Sequence, residues 1–249
     1  MDILLIPGFW LDGSSWSAVT PALTAAGHTI HPLTMPGLES RDADRSGISL
    51  QDHIDAVVRA IDELDRPVVL VGHSGGGAIA YGAVDVRPEQ VVRTVYVDSG
   101  PMADGGVIND QLPVVAGEIP LPDWHFFEEA ELIGLTDELR TMFRDRSIPL
   151  PTAVAYDPQH LSADERRWDV PATVIACEFP STVLQEWITD GHPFVRELAR
   201  IKEVEFVDLP TGHWPQFTRP ADLADGILAA VDRTGTGAGT GTGAGTGPV

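Results

Sequence analysis

The residues best suited to do chemistry lie in one short segment, Gly72-His73-Ser74-Gly75-Gly76. In a Gly-x-Ser-x-Gly pattern the serine hydroxyl can act as a nucleophile once a base removes its proton. The apolar residues 68–71 before it predict a buried strand, and the small and apolar residues after it predict a helix. On such a strand-to-helix turn the serine is strained, and the outer glycines avoid clashes with a Cβ. The pattern favours a nucleophile over an ordinary helix-capping serine.

A general base for this serine is predicted at His213. It follows the last predicted strand, so it should share the carboxyl edge of the sheet with Ser74, where sites form in open α/β sheets. The alternative is a loop histidine that only hydrogen-bonds the backbone. His73 precedes the serine but should point away from it on such a turn, which predicts a packing role.

A second turn, Pro7-Gly8-Phe9-Trp10, leaves the first predicted strand at the same edge. Gly8 allows the backbone to approach the reacting carbon. The N–H groups of Phe9 and Gly75 would then form an oxyanion hole. Trp10 would form a wall of the pocket. A plain strand-to-helix turn is the alternative for this segment.

The elements that must position these residues alternate between strand and helix. Apolar runs predict six strands, over residues 2–6, 28–33, 68–71, 91–97, 171–176 and 204–209. Helical spacing predicts helices over residues 14–26, 48–64, 182–201 (broken near Gly191) and 220–232, and one directly after Ser74. This alternation predicts an α/β fold with a mainly parallel six-stranded sheet and helices on both faces.

Residues 101–169 interrupt the alternation. They are rich in proline, with helical stretches near 126–133 and 137–146, and they are too long for a plain connection. We expect a helical cap inserted over the site after the fourth strand, with residues 1–100 and 170–233 forming the core. Residues 234–249, rich in Thr, Gly and Ala, predict a disordered tail.

These motifs resemble those of the α/β-hydrolase superfamily, in the branch of small esterases and hydroxynitrile lyases, and are similar to those of actinobacterial α/β hydrolases. The resemblance spans about residues 2–233 and rests on segments 72–76, 7–10 and 212–213. It implies the α/β-hydrolase fold and a triad in the chain order serine, acid, histidine.

The acid of that triad is where the sequence departs from the resemblance. The superfamily usually places an aspartate shortly after the fifth strand counted here, but no aspartate lies at the expected position near Pro180. Asp98, at the end of the fourth strand, and Glu178, slightly early in the usual loop, are the two substitutes. We favour Asp98 as the acid, with Glu178 as the alternative. An aspartate at such a position can also simply cap the next turn.

Composition narrows the partners. The formal net charge of −21 argues against nucleic acid and anionic membrane surfaces. Cys177 is the single cysteine, and the sequence has no phosphate-binding or dinucleotide-binding glycine motif and no metal-spaced ligand cluster. We therefore expect no cofactor and no metal. A small-molecule substrate is the expected partner, a homodimer is left open, and the absence of a signal peptide or membrane span predicts a cytoplasmic protein.

Together these features predict a serine hydrolase that cleaves an ester, thioester or lactone through an acyl-enzyme on Ser74. The substrate should be small to medium in size and hydrophobic. The predicted pocket is lined by Phe9, Trp10, Trp124, Phe126, Phe127 and Trp214. Two alternatives stay open: an inert ligand-binding protein of the same fold, and a lyase or cofactor-free oxygenase with the same triad.

Overall fold

The computed structural model describes residues 1–235. The predicted disordered tail, residues 234–249, lies outside the described residues from residue 236 onward. Among the described residues, no helix has both the length and the apolar character needed to cross a membrane.

A six-stranded parallel sheet forms the centre of the fold. The strands of the described residues are β1 (Asp2–Ile6), β2 (Thr29–Pro32), β3 (Val68–His73), β4 (Val91–Val97), β5 (Glu118–Ile119), β6 (Leu150–Pro151), β7 (Ala172–Ala176) and β8 (Val204–Asp208). The sheet has the order β2-β1-β3-β4-β7-β8, and every neighbouring pair in it is parallel. The predicted fold class is confirmed. Because β1, β3 and β4 are neighbours, the segments that follow them meet at one edge.

Helices cover both faces of this sheet. They are α1 (Thr20–Ala25), α2 (Leu50–Leu64), α3 (Gly75–Val86), α4 (Asp137–Arg146), α5 (Thr152–Tyr156), α6 (Ser181–Thr189), α7 (Pro215–Thr218) and α8 (Pro220–Asp232). Ile3 and Leu5 of β1 belong to a buried cluster with residues of α1 and α8. Leu4 and Ile6 belong to the opposite cluster, with residues of α2 and α3. Successive side chains of a strand point to opposite faces, so both faces bury apolar surface.

Helix α2 shows how local sequence sets an element. The Ser49 hydroxyl accepts a hydrogen bond from the N–H of Asp52, and the Asp52 carboxylate accepts one from the N–H of Ser49. This reciprocal capping satisfies two backbone donors at the helix start. Ile54, Val57 and Ile61 lie on one stripe and are buried. The helix therefore begins at Leu50, two residues after the predicted start, and packs with the predicted face inward.

The segment between β4 and β7 lies over the carboxyl edge and contains α4, α5 and an antiparallel pair of two-residue strands, β5 and β6. Helix α4 covers residues 137–146, as predicted. The helix expected near 126–133 is wrong, because this stretch forms consecutive tight turns instead. Its carbonyl groups at Glu131 and Ile133 accept hydrogen bonds from His213 and Gly212, so they bind a distant loop rather than the next helical turn.

Candidate active site

Ser74 lies on a strained turn between β3 and α3. Its backbone has φ 53° and ψ −128°, a conformation that non-glycine residues rarely adopt. The flanking glycines are required because the backbones come so close. A Cβ on Gly72 would lie 2.5 Å from the carbonyl oxygen of Gly76, and a Cβ on Gly76 would lie 2.6 Å from that of Pro7. The hydroxyl of Ser99 donates to the Ser74 carbonyl at 2.5 Å and braces the turn.

A continuous chain of hydrogen bonds joins Ser74, His213 and Asp98. Ser74 Oγ lies 2.8 Å from His213 Nε2, and His213 Nδ1 lies 2.6 Å from Asp98 Oδ2. Since a carboxylate only accepts, Nδ1 carries the proton and donates a hydrogen bond to Asp98. Nε2 is then left to accept from the serine hydroxyl. The three residues follow β3, β8 and β4, at the carboxyl edge of the sheet.

Asp98 is held by more than the imidazole. Its other oxygen, Oδ1, accepts hydrogen bonds from the N–H groups of Cys177 (3.1 Å) and Glu178 (2.9 Å). Burial by itself would raise the pKa of this carboxyl. The hydrogen bond and charge of His213, together with the N–H of Glu178, overcome burial and lower the pKa of Asp98 below its ordinary value. The residue is therefore a fully hydrogen-bonded anion.

Glu178, the alternative acid, lies beside this pair without bonding to it. Within residues 1–235 its carboxylate makes no hydrogen bond, and it lines a side cavity of about 170 Å³ together with Asp98 and His213. Burial and the negative charges of Asp98 and Glu131 raise the pKa of Glu178 to about 7. Of the two candidate carboxylates, the structure therefore brings Asp98, and not Glu178, to Nδ1 of the imidazole.

These side chains also bring three possible metal-ligating atoms, from Asp98, Glu178 and His213, within 4.8 Å of one another. Both ring nitrogens of His213 are already engaged, one by Asp98 and one by Ser74. A metal would have to break one of these hydrogen bonds to gain the imidazole as a ligand.

The pKa of His213 reflects its acidic surroundings. Burial opposes the charged imidazolium and would lower the pKa. The hydrogen bond and charge of Asp98, with the charges of Glu131 and Glu178, outweigh burial and raise the pKa of His213 above its ordinary 6.5. The site thus stabilises a proton on this imidazole.

The turn after β1 packs directly against the serine turn. A Cβ on Gly8 would lie 3.1 Å from Ser74 Cβ, and the Phe9 ring occupies the space beside Gly75. Within residues 1–235, the N–H of Phe9 donates no hydrogen bond. The N–H of Gly75, at the first position of α3, has no partner inside the helix. Trp10 has φ 64°, and its indole N–H donates to the carbonyl of Ile119.

Ser74, Asp98 and His213 line a cavity of about 620 Å³. Phe9, Trp10, Phe126 and Phe127 line it, as the sequence predicts. Sequence reasoning missed other lining residues, which come from the loop after β4 and from the break after α6: Met102, Val107, Ile108, Asn109, Leu112 and Phe194. Gly191 and Pro193, shortly before Phe194, mark that break in the sequence.

Trp124 and Trp214 do not line this cavity, which corrects the expectation for both. Trp214 is 2% exposed and packs edge-on to Phe127, Phe143 and His213. Trp124 packs on Phe127 and on Trp214 behind it. The two indoles therefore support the wall that Phe127 presents to the cavity, because large rings gain most from full burial.

Comparison with known proteins finds a matching family and relatives of the same fold. A model of the alpha/beta hydrolase family matches residues 3–226. A carbendazim hydrolyzing esterase of Nocardioides sp. (strain SG-4G) is 28% identical, over 92% of this chain and 98% of that protein. A pyrethroid hydrolase of Sphingobium wenxiniae is 24% identical, over 93% of this chain and 88% of its own. The crystal structure of a methylesterase protein from Arabidopsis has the same fold, with a TM-score of 0.75 at 17% identity, over 94% of this chain and 99% of that one.

Replacing Glu178 with glutamine should lower the pKa of His213, because it removes a negative charge that favours the imidazolium. The measurement is an NMR titration of the His213 ring signals. Glu186→Gln, an exposed change on α6, is the matched control and should leave the His213 titration where it is. An unchanged His213 pKa in Glu178→Gln would show that Glu178 does not act on the imidazole.

Proposed function

The chain belongs to the alpha/beta hydrolase family and is an ester-cleaving hydrolase. We propose that it cleaves a carboxylic ester, thioester or lactone through an acyl-enzyme on Ser74. The observation that carries the proposal is the unbroken hydrogen-bond chain from Asp98 through His213 to Ser74 at the edge of an apolar cavity. The alternative of an inert binding protein would be favoured if no carboxylate reached Nδ1 of His213. The 2.6 Å separation from Asp98 disfavours it.

In the first half of the reaction, Ser74 Oγ attacks the carbonyl carbon while its proton passes to His213 Nε2. Asp98 stays ionised and stabilises the imidazolium that forms. The carbon–oxygen bond to the leaving alcohol then breaks, and His213 returns the proton to that alcohol. In the second half, water gives a proton to Nε2 and attacks the carbonyl carbon of the acyl-enzyme. The bond from that carbon to Ser74 Oγ then breaks, and His213 returns the proton to Oγ as the acid leaves.

The negative charge that develops on the carbonyl oxygen needs donors that are ready before the reaction. The N–H groups of Phe9 and Gly75 suit this role, because neither donates to a backbone carbonyl of residues 1–235 and they lie on turns packed against each other. The start of α3 adds the positive end of its dipole to the same place. Preorganised donors of this kind are typically worth about 3–4 kcal/mol of transition-state stabilisation each.

The cavity favours a neutral, hydrophobic substrate of small to medium size. Phe9, Trp10, Phe126 and Phe127 supply aromatic walls, and the volume of about 620 Å³ lies within the usual range for small-ligand pockets. Apart from His213, the ionisable side chains that line it are carboxylates, Asp98 and Glu131. An anionic group on the substrate would meet like charges inside a partly dry site. The names of the esterase and hydrolase relatives agree with ester cleavage.

The direct test is a burst assay with p-nitrophenyl acetate and p-nitrophenyl butyrate. We expect a burst of p-nitrophenol in the wild type, and in Ser74→Ala no burst and a kcat lower by roughly 10⁶-fold, as for other triad serines. Ser46→Ala, an exposed serine, is the control and should behave as the wild type. Equal turnover in Ser74→Ala and wild type would refute the acyl-enzyme, and oxygen consumption measured alongside would reveal an oxygenase.

Asp98→Asn tests which carboxylate supports the base. Asparagine can keep the bonds to the Cys177 and Glu178 N–H groups but favours the wrong imidazole tautomer, so kcat should fall by about 10⁴-fold. Glu178→Gln should change kcat far less, since its carboxylate does not bond the imidazole. The measurement is kcat for p-nitrophenyl butyrate at the optimum pH of each variant. If Glu178→Gln lost more activity than Asp98→Asn, Glu178 would be the acid.

Substrate charge gives a separate test of the pocket. The kcat/KM for p-nitrophenyl butyrate should exceed that for the p-nitrophenyl monoester of succinic acid by at least about tenfold, because the free carboxylate meets Asp98 and Glu131. Glu131→Gln should narrow this gap by improving the anionic ester, whereas the exposed Glu129→Gln should not. Equal kcat/KM for the two esters in the wild type would contradict a pocket selective for neutral substrates.

A further inference from the structure

His73, the last residue of β3, makes specific hydrogen bonds instead of only filling space. Its side chain is fully buried. Nε2 lies 2.6 Å from the backbone carbonyl oxygen of His213, and Nδ1 lies 3.3 Å from Nε2 of Gln216, itself fully buried at the second position of α7. Because a carbonyl oxygen only accepts, Nε2 of His73 carries the proton and Nδ1 accepts from the Gln216 amide. The two partners together fix one neutral tautomer.

The His73 imidazole stays neutral at the pH at which a hydrolase operates. Burial and the neighbouring His213 lower the pKa of His73 to about 3, so it stays neutral across the range in which a hydrolase operates. Its ring centre lies 5.0 Å from that of His213. A charged group at that distance would disfavour the imidazolium of the base, and a neutral one does not.

His73 also contacts three of the segments that carry candidate catalytic groups, those of Ser74, Phe9 and His213. It directly precedes Ser74 in the chain. A Cβ on Gly8 would lie only 2.6 Å from its Nδ1, so the turn that carries Phe9 is packed against the ring. Its Nε2 holds the peptide that carries His213.

The peptide of His213 is therefore held from two sides. Its N–H donates to the carbonyl of Glu131 at 2.8 Å, in the segment between β4 and β7. Its carbonyl accepts from His73, which belongs to the central sheet next to the nucleophile. The second hydrogen bond links the backbone of His213 directly to β3, the strand that positions Ser74.

We propose that His73 is a positioning residue, which keeps Nε2 of His213 at hydrogen-bond distance from Ser74 by holding the His213 carbonyl. The inference rests on the proposed function, in which His213 is the base. An apolar ring of similar volume would fill the space but leave the His213 carbonyl and the Gln216 amide without partners. The loop would then move, and the separation of base and nucleophile would change.

The test compares three variants at His73 with p-nitrophenyl butyrate. His73→Phe should lose about 10²-fold in kcat with KM within about twofold, because a displacement near 1 Å is costly for proton transfer and His73 does not line the cavity. His73→Gln should recover most of kcat, since its amide nitrogen can reach the position of Nε2. His73→Asn is one methylene shorter and should not. The Gln and Asn variants remain comparable even if the Phe variant does not fold.

His53 provides a matched control. It is also a buried imidazole, kept neutral because burial lowers its pKa to about 4, and its Nε2 lies 2.9 Å from the backbone carbonyl of Pro36. His53 belongs to α2 and is not among the residues that line the cavity. His53→Phe should lower the unfolding midpoint in urea and leave kcat within about threefold of the wild type.

The outcomes separate the inference from the proposed function. If Ser74→Ala abolishes the burst but kcat of folded His73→Phe stays within about threefold of the wild type, the positioning role is overturned and the function stands. Equal kcat in the Gln and Asn variants would also overturn it, because a packing role does not distinguish them. If Ser74→Ala keeps full activity, the proposed function fails and the positioning role with it.

Discussion

The site depends on one constraint, the close approach of three backbone segments around Ser74. The serine is strained at φ 53°, and the turn closes only because Gly72 and Gly76 carry no Cβ. The carbonyl oxygens of Ile6 and Pro7 then come within 2.7 Å of where a Gly76 Cβ would lie. This contact brings the turn after β1, which carries the Phe9 N–H, against the start of α3. Strain at one residue therefore sets the relative positions of a hydroxyl and two backbone donors, and the packing of the buried sheet stabilises it.

Electrostatics explains why two carboxylates can lie beside one imidazole. Asp98 receives hydrogen bonds from His213, Cys177 and Glu178, which compensate for its burial and keep it charged. Within residues 1–235 the Glu178 carboxylate accepts no such hydrogen bonds, and burial together with the nearby charge of Asp98 raises its pKa to about 7. The difference between the two residues is thus the set of N–H groups aimed at each. Residue type alone does not determine which carboxylate is charged or which one the imidazole binds.

Local pattern is enough to predict the sheet, the helices over residues 137–146 and 220–232, and the positions of Ser74, Asp98 and His213 at one edge. Those three positions follow from strand ends. It could not decide which of two carboxylates bonds the imidazole, since the hydrogen bond joins residues 115 positions apart.

Residues 126–133 have the composition of a helix, but their carbonyls bind the His213 loop. Aromatic character alone favours Trp124 and Trp214 as cavity residues, but the sequence does not show in which direction a side chain points. The hydrogen bond of His73 spans 140 positions and leaves no local signal.

The cavity and the triad geometry are not independent parts of this molecule. Glu131 lines the cavity, and its carbonyl accepts the N–H of His213. Gly212 comes so close to this segment that any side chain there would collide with the carbonyls of Glu131 and Ile133. Phe127 contacts the cavity on one side and Trp214 on the other, and Trp214 follows His213 directly in the chain. A shift of the segment between β4 and β7 that reshaped the cavity would therefore also move the peptide of His213. The hydrogen bond from His73, which belongs to the sheet, opposes that movement. The geometry at Ser74 therefore depends on two hydrogen bonds that hold the His213 peptide, one from the sheet and one to the segment between β4 and β7.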